Sequence, residues 1–155
     1  MSIRRTIWGI AIVWALLLVP CSSKAQARGP LATARSIKCT FTQMAVGTWG
    51  DKGPEVKVKP FNLELQFDAI NADEGTAEYK SGYGKYDIIV KYSEGYLHFI
   101  QSFLNGPLYT TTVLEKKTAS GKFKAMHSRH EFNDYALVGF TSSPEQYYGE
   151  CEILN

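Results

Sequence analysis

The side chains with the most chemistry to offer lie together in Lys122-Phe123-Lys124-Ala125-Met126-His127-Ser128-Arg129-His130-Glu131. If this run is a strand with Lys122 and Lys124 in water, the two-residue period turns Phe123, Ala125, His127 and Arg129 to the inward face. A guanidinium taken out of water is costly unless a carboxylate or phosphate meets it. Arg129 therefore has two readings. In the first, Arg129 and His127 form the polar floor of an otherwise apolar cavity and hold the anionic head of an amphipathic ligand, with Tyr86, Tyr92 and Phe99 lining the pocket for its tail. In the second, Arg129 ends its strand in an ion pair with Glu131 or Asp134, and His127 is a hydrogen-bonded core or rim residue.

Other chemistries find less support. His127, His130 and His98 would make a three-histidine zinc site, but strand residues three apart point to opposite faces, and Leu97, Phe99 and Phe103 take the apolar face and leave His98 outward. No His-Glu-x-x-His, Cys-x-x-Cys or EF-hand calcium loop occurs. Ser128 sits beside two histidines, yet adjacent strand residues diverge and no Gly-x-Ser-x-Gly elbow exposes a nucleophile. Asp68 and Asp87 fall on wet faces. Ser81-Gly82-Tyr83-Gly84-Lys85 is glycine-rich but precedes no helix, so it lacks the helix-start amides that cradle phosphate. No catalytic, metal or cofactor role is assigned, and an enzyme is the weaker expectation.

The elements that would position these residues read as strands. Phe61 to Ala69 alternates apolar and polar residues, the pattern of a sheet with one dry face. Runs rich in Val, Ile, Thr, Tyr and Phe follow the same style at Ser36–Ala45, Gly75–Lys80, Tyr86–Tyr92, Gly95–Phe103, Leu108–Glu115, Lys122–Arg129, Ala136–Thr141 and Tyr147–Leu154. Asn71–Gly75, Ser93–Gly95, Asn105–Pro107 and Thr118–Gly121 carry the glycines and polar residues of short turns. Leu31–Arg35 and Glu131–Tyr135 have room for one helical turn each. Val46–Pro60, with Gly47, Gly50, Gly53, Pro54 and Pro60, reads as a long loop with a short strand at Val56–Lys59.

About eight to ten short strands joined by tight turns predict an all-β antiparallel meander, closed or half-open as a barrel, with a two-layer sandwich as the alternative. Cys39 shares a face with Ile37 and Phe41, and Cys151 with Tyr147, Gly149 and Ile153. Both thiols then point inward from the first and last strands. A Cys39–Cys151 disulfide would join those strands, as barrel closure requires.

The first 27 residues set the compartment in which such a disulfide forms. Arg4 and Arg5 lead into an apolar run, Ile7 to Val19, and the segment ends at Ala25-Gln26-Ala27, the pattern of a secretory signal peptide. The run is about 13 residues, short of the ~20 of a membrane-spanning helix. Cys21 offers a lipid-anchor alternative, but Pro20 stands where that site wants a small residue. Residues 28–155 then form a single exported domain, periplasmic or secreted, with no transmembrane span. Because Arg4, Arg5 and Lys24 all lie in the leader, 14 of the 17 Lys+Arg remain against 15 Asp+Glu. Such a balance lacks the basic footprint that nucleic-acid binding needs.

In architecture this domain resembles the fatty-acid-binding and lipocalin barrels, without their diagnostic motifs; the resemblance implies a hollow interior that takes a small amphipathic or hydrophobic anion. A second expectation is an envelope or extracellular protein partner met by the Ser81–Tyr86 and Trp49 loops, since Tyr and Trp are favoured interface anchors. Ser81-Gly82-Tyr83 is similar to the Ser-Gly loops that small exported bacterial lysozyme inhibitors insert into an enzyme cleft.

Overall fold

A computed structural model describes residues 28–82, 84–104, 106–132 and 143–154. Among these, eight strands form one antiparallel meander: β1 (Ile37–Gly50), β2 (Gly53–Asn71), β3 (Thr76–Ser81), β4 (Gly84–Ser93), β5 (Tyr96–Ser102), β6 (Leu108–Lys117), β7 (Phe123–His130) and β8 (Glu145–Ile153). Each pairs with the next, and β8 returns to pair with β1, so the sheet closes on itself as a barrel rather than splitting into a sandwich. The expected run Ala136–Thr141 lies outside the described residues, as do the signal segment 1–27 and most of Glu131–Tyr135.

The closure has a covalent staple. Cys39 and Cys151 stand directly opposite each other on β1 and β8, with Cα atoms 4.0 Å apart, and are joined as a disulfide. Both are fully buried. Beside them Gly149 lies where β1 bulges: a Cβ there would stand 2.0 Å from the Thr40 carbonyl oxygen, so only glycine lets the two backbones come this close.

One end of the barrel is plugged. The helical turn expected near Leu31 is a 3-10 turn at Pro30–Ala32, and its Leu31 is completely buried in the core. Leu31 N–H donates to Glu115 Oε1 at 3.0 Å, which ties the turn to β6 at the end carrying the β2–β3, β4–β5 and β6–β7 connections. Above the plug, Ile37, Phe41, Val90, Leu97 and Val113 fill the interior.

Two local expectations need correction. The alternation of β2 does not run unbroken through Ala69: a register shift falls between Asp68 and Asn71, Ala69 adopts φ 49°, and Ile70 turns back inward to 1% exposure. Val46–Pro60 is not a loop either, although the short strand expected at Val56–Lys59 lies within β2. The segment is the far half of a long β1–β2 ribbon, paired from Val46↔Lys57 to Gly50↔Gly53 around a two-residue turn. Glycines and prolines read as breakers, but Gly53 has φ 114° at the turn, where glycine is favoured, and prolines are tolerated on a strand with a free edge.

The outward positions carry charge. Lys38 and Glu64 pair across β1 and β2, and Lys122, just before β7, pairs with Glu152 of β8, at 3.1 Å each. No helix among the described residues is long and apolar enough to cross a membrane.

Candidate functional site

Above the packed core the barrel is hollow. A cavity of about 670 Å³ opens towards the end opposite the plug, and its wall includes Leu65, Phe67, Ile88, Phe99 and Phe103 with the rings of Tyr79, Tyr86 and Tyr109. Phe67 and Phe99 stack face to face at 3.9 Å between ring centroids. Strand register sorts the polar groups by depth. Gln101, Tyr109, Arg129 and Glu145 are cross-strand neighbours in one row on β5 to β8, the first three one residue from their strand ends and Glu145 at the start of β8. Phe99, Thr111, His127 and Tyr147 form the next row in.

Arg129 is therefore at the mouth, and the floor is apolar, the reverse of the expected polar floor. Its side chain is largely buried, with relative exposure of 22%. The guanidinium lies between two rings, with Cζ 5.3 Å from the Tyr109 centroid and 5.2 Å from that of Tyr147, within cation–π range. Its ion-pair partner comes from β8: Nη1 stands 3.9 Å from Glu145 Oε2, the loose limit of such a contact. That same carboxylate oxygen accepts a short hydrogen bond from the Tyr147 hydroxyl. Of the two partners expected from sequence, Glu131 is buried and accepts from the Tyr109 hydroxyl at 2.6 Å, while Asp134 lies outside the described residues.

His127 is locked beneath this row. Arg129 Nε donates to its Nε2 at 3.3 Å, so the hydrogen sits on Nδ1, which donates to Thr111 Oγ1 at 2.8 Å. Burial, reinforced by the Arg129 charge, pushes the imidazole down to about 3. The ring is neutral across the physiological range, with both nitrogens engaged. Burial also drives the Tyr109 and Tyr147 hydroxyls well above their ordinary range, helped by donation to Glu131 and Glu145. Both phenols stay protonated. The chemistry on offer is thus a fixed cation with aromatic flanks at the top of a largely apolar pocket, suited to charge-assisted bonds to an anionic head.

Four of the five expected side chains line this cavity: Arg129, His127, Tyr86 and Phe99. Tyr92 does not. It faces inward as its alternation requires, but six residues along β4 from Tyr86 is roughly 20 Å of strand, and that carries it to the plugged end. There its hydroxyl donates to Glu115 Oε1 at 3.3 Å and accepts from the Gly29 N–H. Ser81 and Gly82 of the glycine-rich turn reach the cavity wall; Tyr83 lies outside the described residues.

The remaining candidates are placed elsewhere. His98 points outward, bonds Thr112 Oγ1 at 3.0 Å and stacks on Tyr96. Asp68 accepts from Ser36 and Gln66, and the Ser36 hydroxyl chiefly holds its carboxyl below the usual range. Among the described residues no three His, Cys, Asp or Glu side chains converge on a metal-sized site. Trp49 is 63% exposed at the ribbon tip, edge-on to Phe132 and off the cavity wall.

Sequence reasoning did not find Glu145, Tyr109 and Thr111. Tyr147 was placed on the inward face by its spacing from Cys151, which was the one available signal. Comparison with protein-family models, with curated proteins and with solved structures gave no match.

Proposed function

We propose that the chain is exported, its leader removed after Ala27, and that it binds a small amphipathic or hydrophobic anion inside the barrel. The observation that carries this reading is Arg129: a largely buried cation at the mouth of an apolar, aromatic-lined cavity, whose own carboxylate partner stands at 3.9 Å. The volume lies in the range of small-molecule pockets, and polar head above apolar floor sets the polarity of the ligand. The tail packs along the stacked rings of Phe67 and Phe99 and against Ile88, and the head accepts direct hydrogen bonds from Arg129 in place of its loose contact to Glu145. The disulfide fits an oxidising compartment, in keeping with export.

Delipidated protein titrated calorimetrically with laurate should bind it, while dodecylammonium of equal tail length should not. Replacing Arg129 by Gln keeps donors but removes charge, and should weaken laurate binding by about 2 kcal/mol, roughly thirtyfold. Equal affinity for the two tails, or an Arg129→Gln variant that binds laurate unchanged, defeats the reading. N-terminal sequencing of exported material should begin at Arg28; a lipid-modified Cys21 would contradict it.

A further inference from the structure

We infer that the free edge of the β1–β2 ribbon joins two copies of this chain, strand β2 against strand β2, about a two-fold axis at Val56. Among the described residues the edge is open: β2 pairs with β1 along nearly its whole length but meets β3 only between Gln66 and Asn71, and no described strand lies beside Gly53 to Leu65 on that side. Every residue from Pro54 to Asn62 is exposed, Val56 to 71% and Val58 to 70%.

The turn fixes which backbone groups face outward. Gly50 and Gly53 flank a two-residue connection, Asp51-Lys52, and such a turn is closed by a hydrogen-bonded pair. Antiparallel pairs alternate, so Trp49↔Pro54, Gly47↔Val56, Ala45↔Val58 and Gln43↔Pro60 are the non-bonded ones. The backbone groups of Pro54, Val56, Val58 and Pro60 therefore point away from β1. Two of these four are prolines and donate nothing. Between Pro54 and Pro60 the edge offers N–H groups at Val56 and Val58 alone, with a carbonyl at all four positions.

This pattern is self-complementary, and charge selects the register. With Val56 opposite the partner's Val56, the two valines exchange both backbone bonds, and each Val58 N–H meets the partner's Pro54 carbonyl. All four donors are used. Glu55 then faces the partner's Lys57 twice, and Val58 packs against the partner's Pro54. Sliding one step, to Val56 opposite the partner's Val58, keeps two Glu55–Lys59 pairs but sets Lys57 against the partner's Lys57, a repulsion that the Val56-centred register does not carry. A further step sets Lys57 against the partner's Lys59 twice, and the opposite slide sets Glu55 against the partner's Glu55. Directly opposed like charges are destabilising, so lysines that guard the edge against other registers leave this one open. Trp49, Pro54, Val56 and Val58 share the outer face of the ribbon, so pairing also extends one apolar surface across both copies. The strands run antiparallel, which sends the two barrels away from each other.

Sedimentation velocity of the exported chain from about 1 to 500 µM, the range of a small interface, should show monomers converting to dimers. Lys57→Glu replaces both attractive pairs by repulsive ones and should weaken the dimer at least tenfold, as should Val56→Pro, which removes the central donors without touching a bond to β1. The charge swap Glu55→Lys with Lys57→Glu should restore wild-type association. All three positions are solvent-exposed on the ribbon, and unchanged far-UV circular dichroism confirms that the variants fold. A chain that stays monomeric at the highest concentration, a dimer indifferent to Lys57→Glu, or a double variant that fails to recover each overturns the inference.

Discussion

Acidification should destabilise this protein well before its carboxylates begin to protonate, and His127 is the reason. Its imidazole is 5% exposed and held neutral, with a folded-state value of about 3 against 6.5 when free. The unfolded chain therefore takes up a proton that the folded chain refuses, and the stability present above pH 6.5 is lost as pH falls. Each unit is worth about 1.36 kcal/mol, so the loss reaches about 3 kcal/mol near pH 4.5 and levels off at roughly 4–5 kcal/mol below about pH 3. That is a large fraction of the ~5–15 kcal/mol by which domains are stable. Urea unfolding with the disulfide intact, between about pH 7.5 and 4.5, should show this slope. In His127→Gln an amide can accept from Arg129 and donate to Thr111 without titrating, so the slope should fall away. His98, whose value is also lowered by burial, contributes with the same sign, and a His98→Gln control separates the two. Nitrogen-15 spectra of the wild-type imidazoles give the direct reading. A His127 ring that titrates near 6.5 in the folded protein, or stability that is flat from pH 7 to 5, refutes the reasoning.

Three further outcomes follow from the backbone. Gly149→Ala forces a Cβ to within 2.0 Å of the Thr40 carbonyl oxygen, so it should cost at least ~3 kcal/mol or abolish folding, read as the loss of a cooperative thermal transition. Ala69→Gly relieves a left-handed residue with φ 49° and should leave stability equal or higher by up to ~1 kcal/mol in denaturant titration; a clear loss would show that the bulge is not strained. The disulfide closes a loop with sequence separation of 112, for which chain entropy gives about 4.7 kcal/mol before native strain. The Cys39→Ala, Cys151→Ala double variant should therefore unfold at far lower urea, and one that unfolds at the wild-type midpoint would show that the staple adds nothing.

What was legible in the residue order is what two-residue alternation and chain ends decide. Phe61 to Phe67 announced a half-buried strand, the spacing of His127 and Arg129 turned both inward, and Cys39 and Cys151 declared that the first and last strands meet. The first two are local properties, since which face a side chain takes follows from the alternation of its own strand, and the third follows from there being one cysteine in the first strand and one in the last. The ribbon at Val46–Pro60 was hidden because glycine and proline stop a strand in most settings, and only its two-residue turn and an edge unpaired among the described residues reveal why they are tolerated here. Depth along the barrel was hidden for a different reason. How far up the wall a residue sits depends on the stagger of every strand against its neighbours, which pairing across distant segments sets. That stagger lifted Arg129 to the mouth, carried Tyr92 down to the plug, and brought Tyr109 and Glu145 beside the guanidinium from strands that say nothing of each other in sequence.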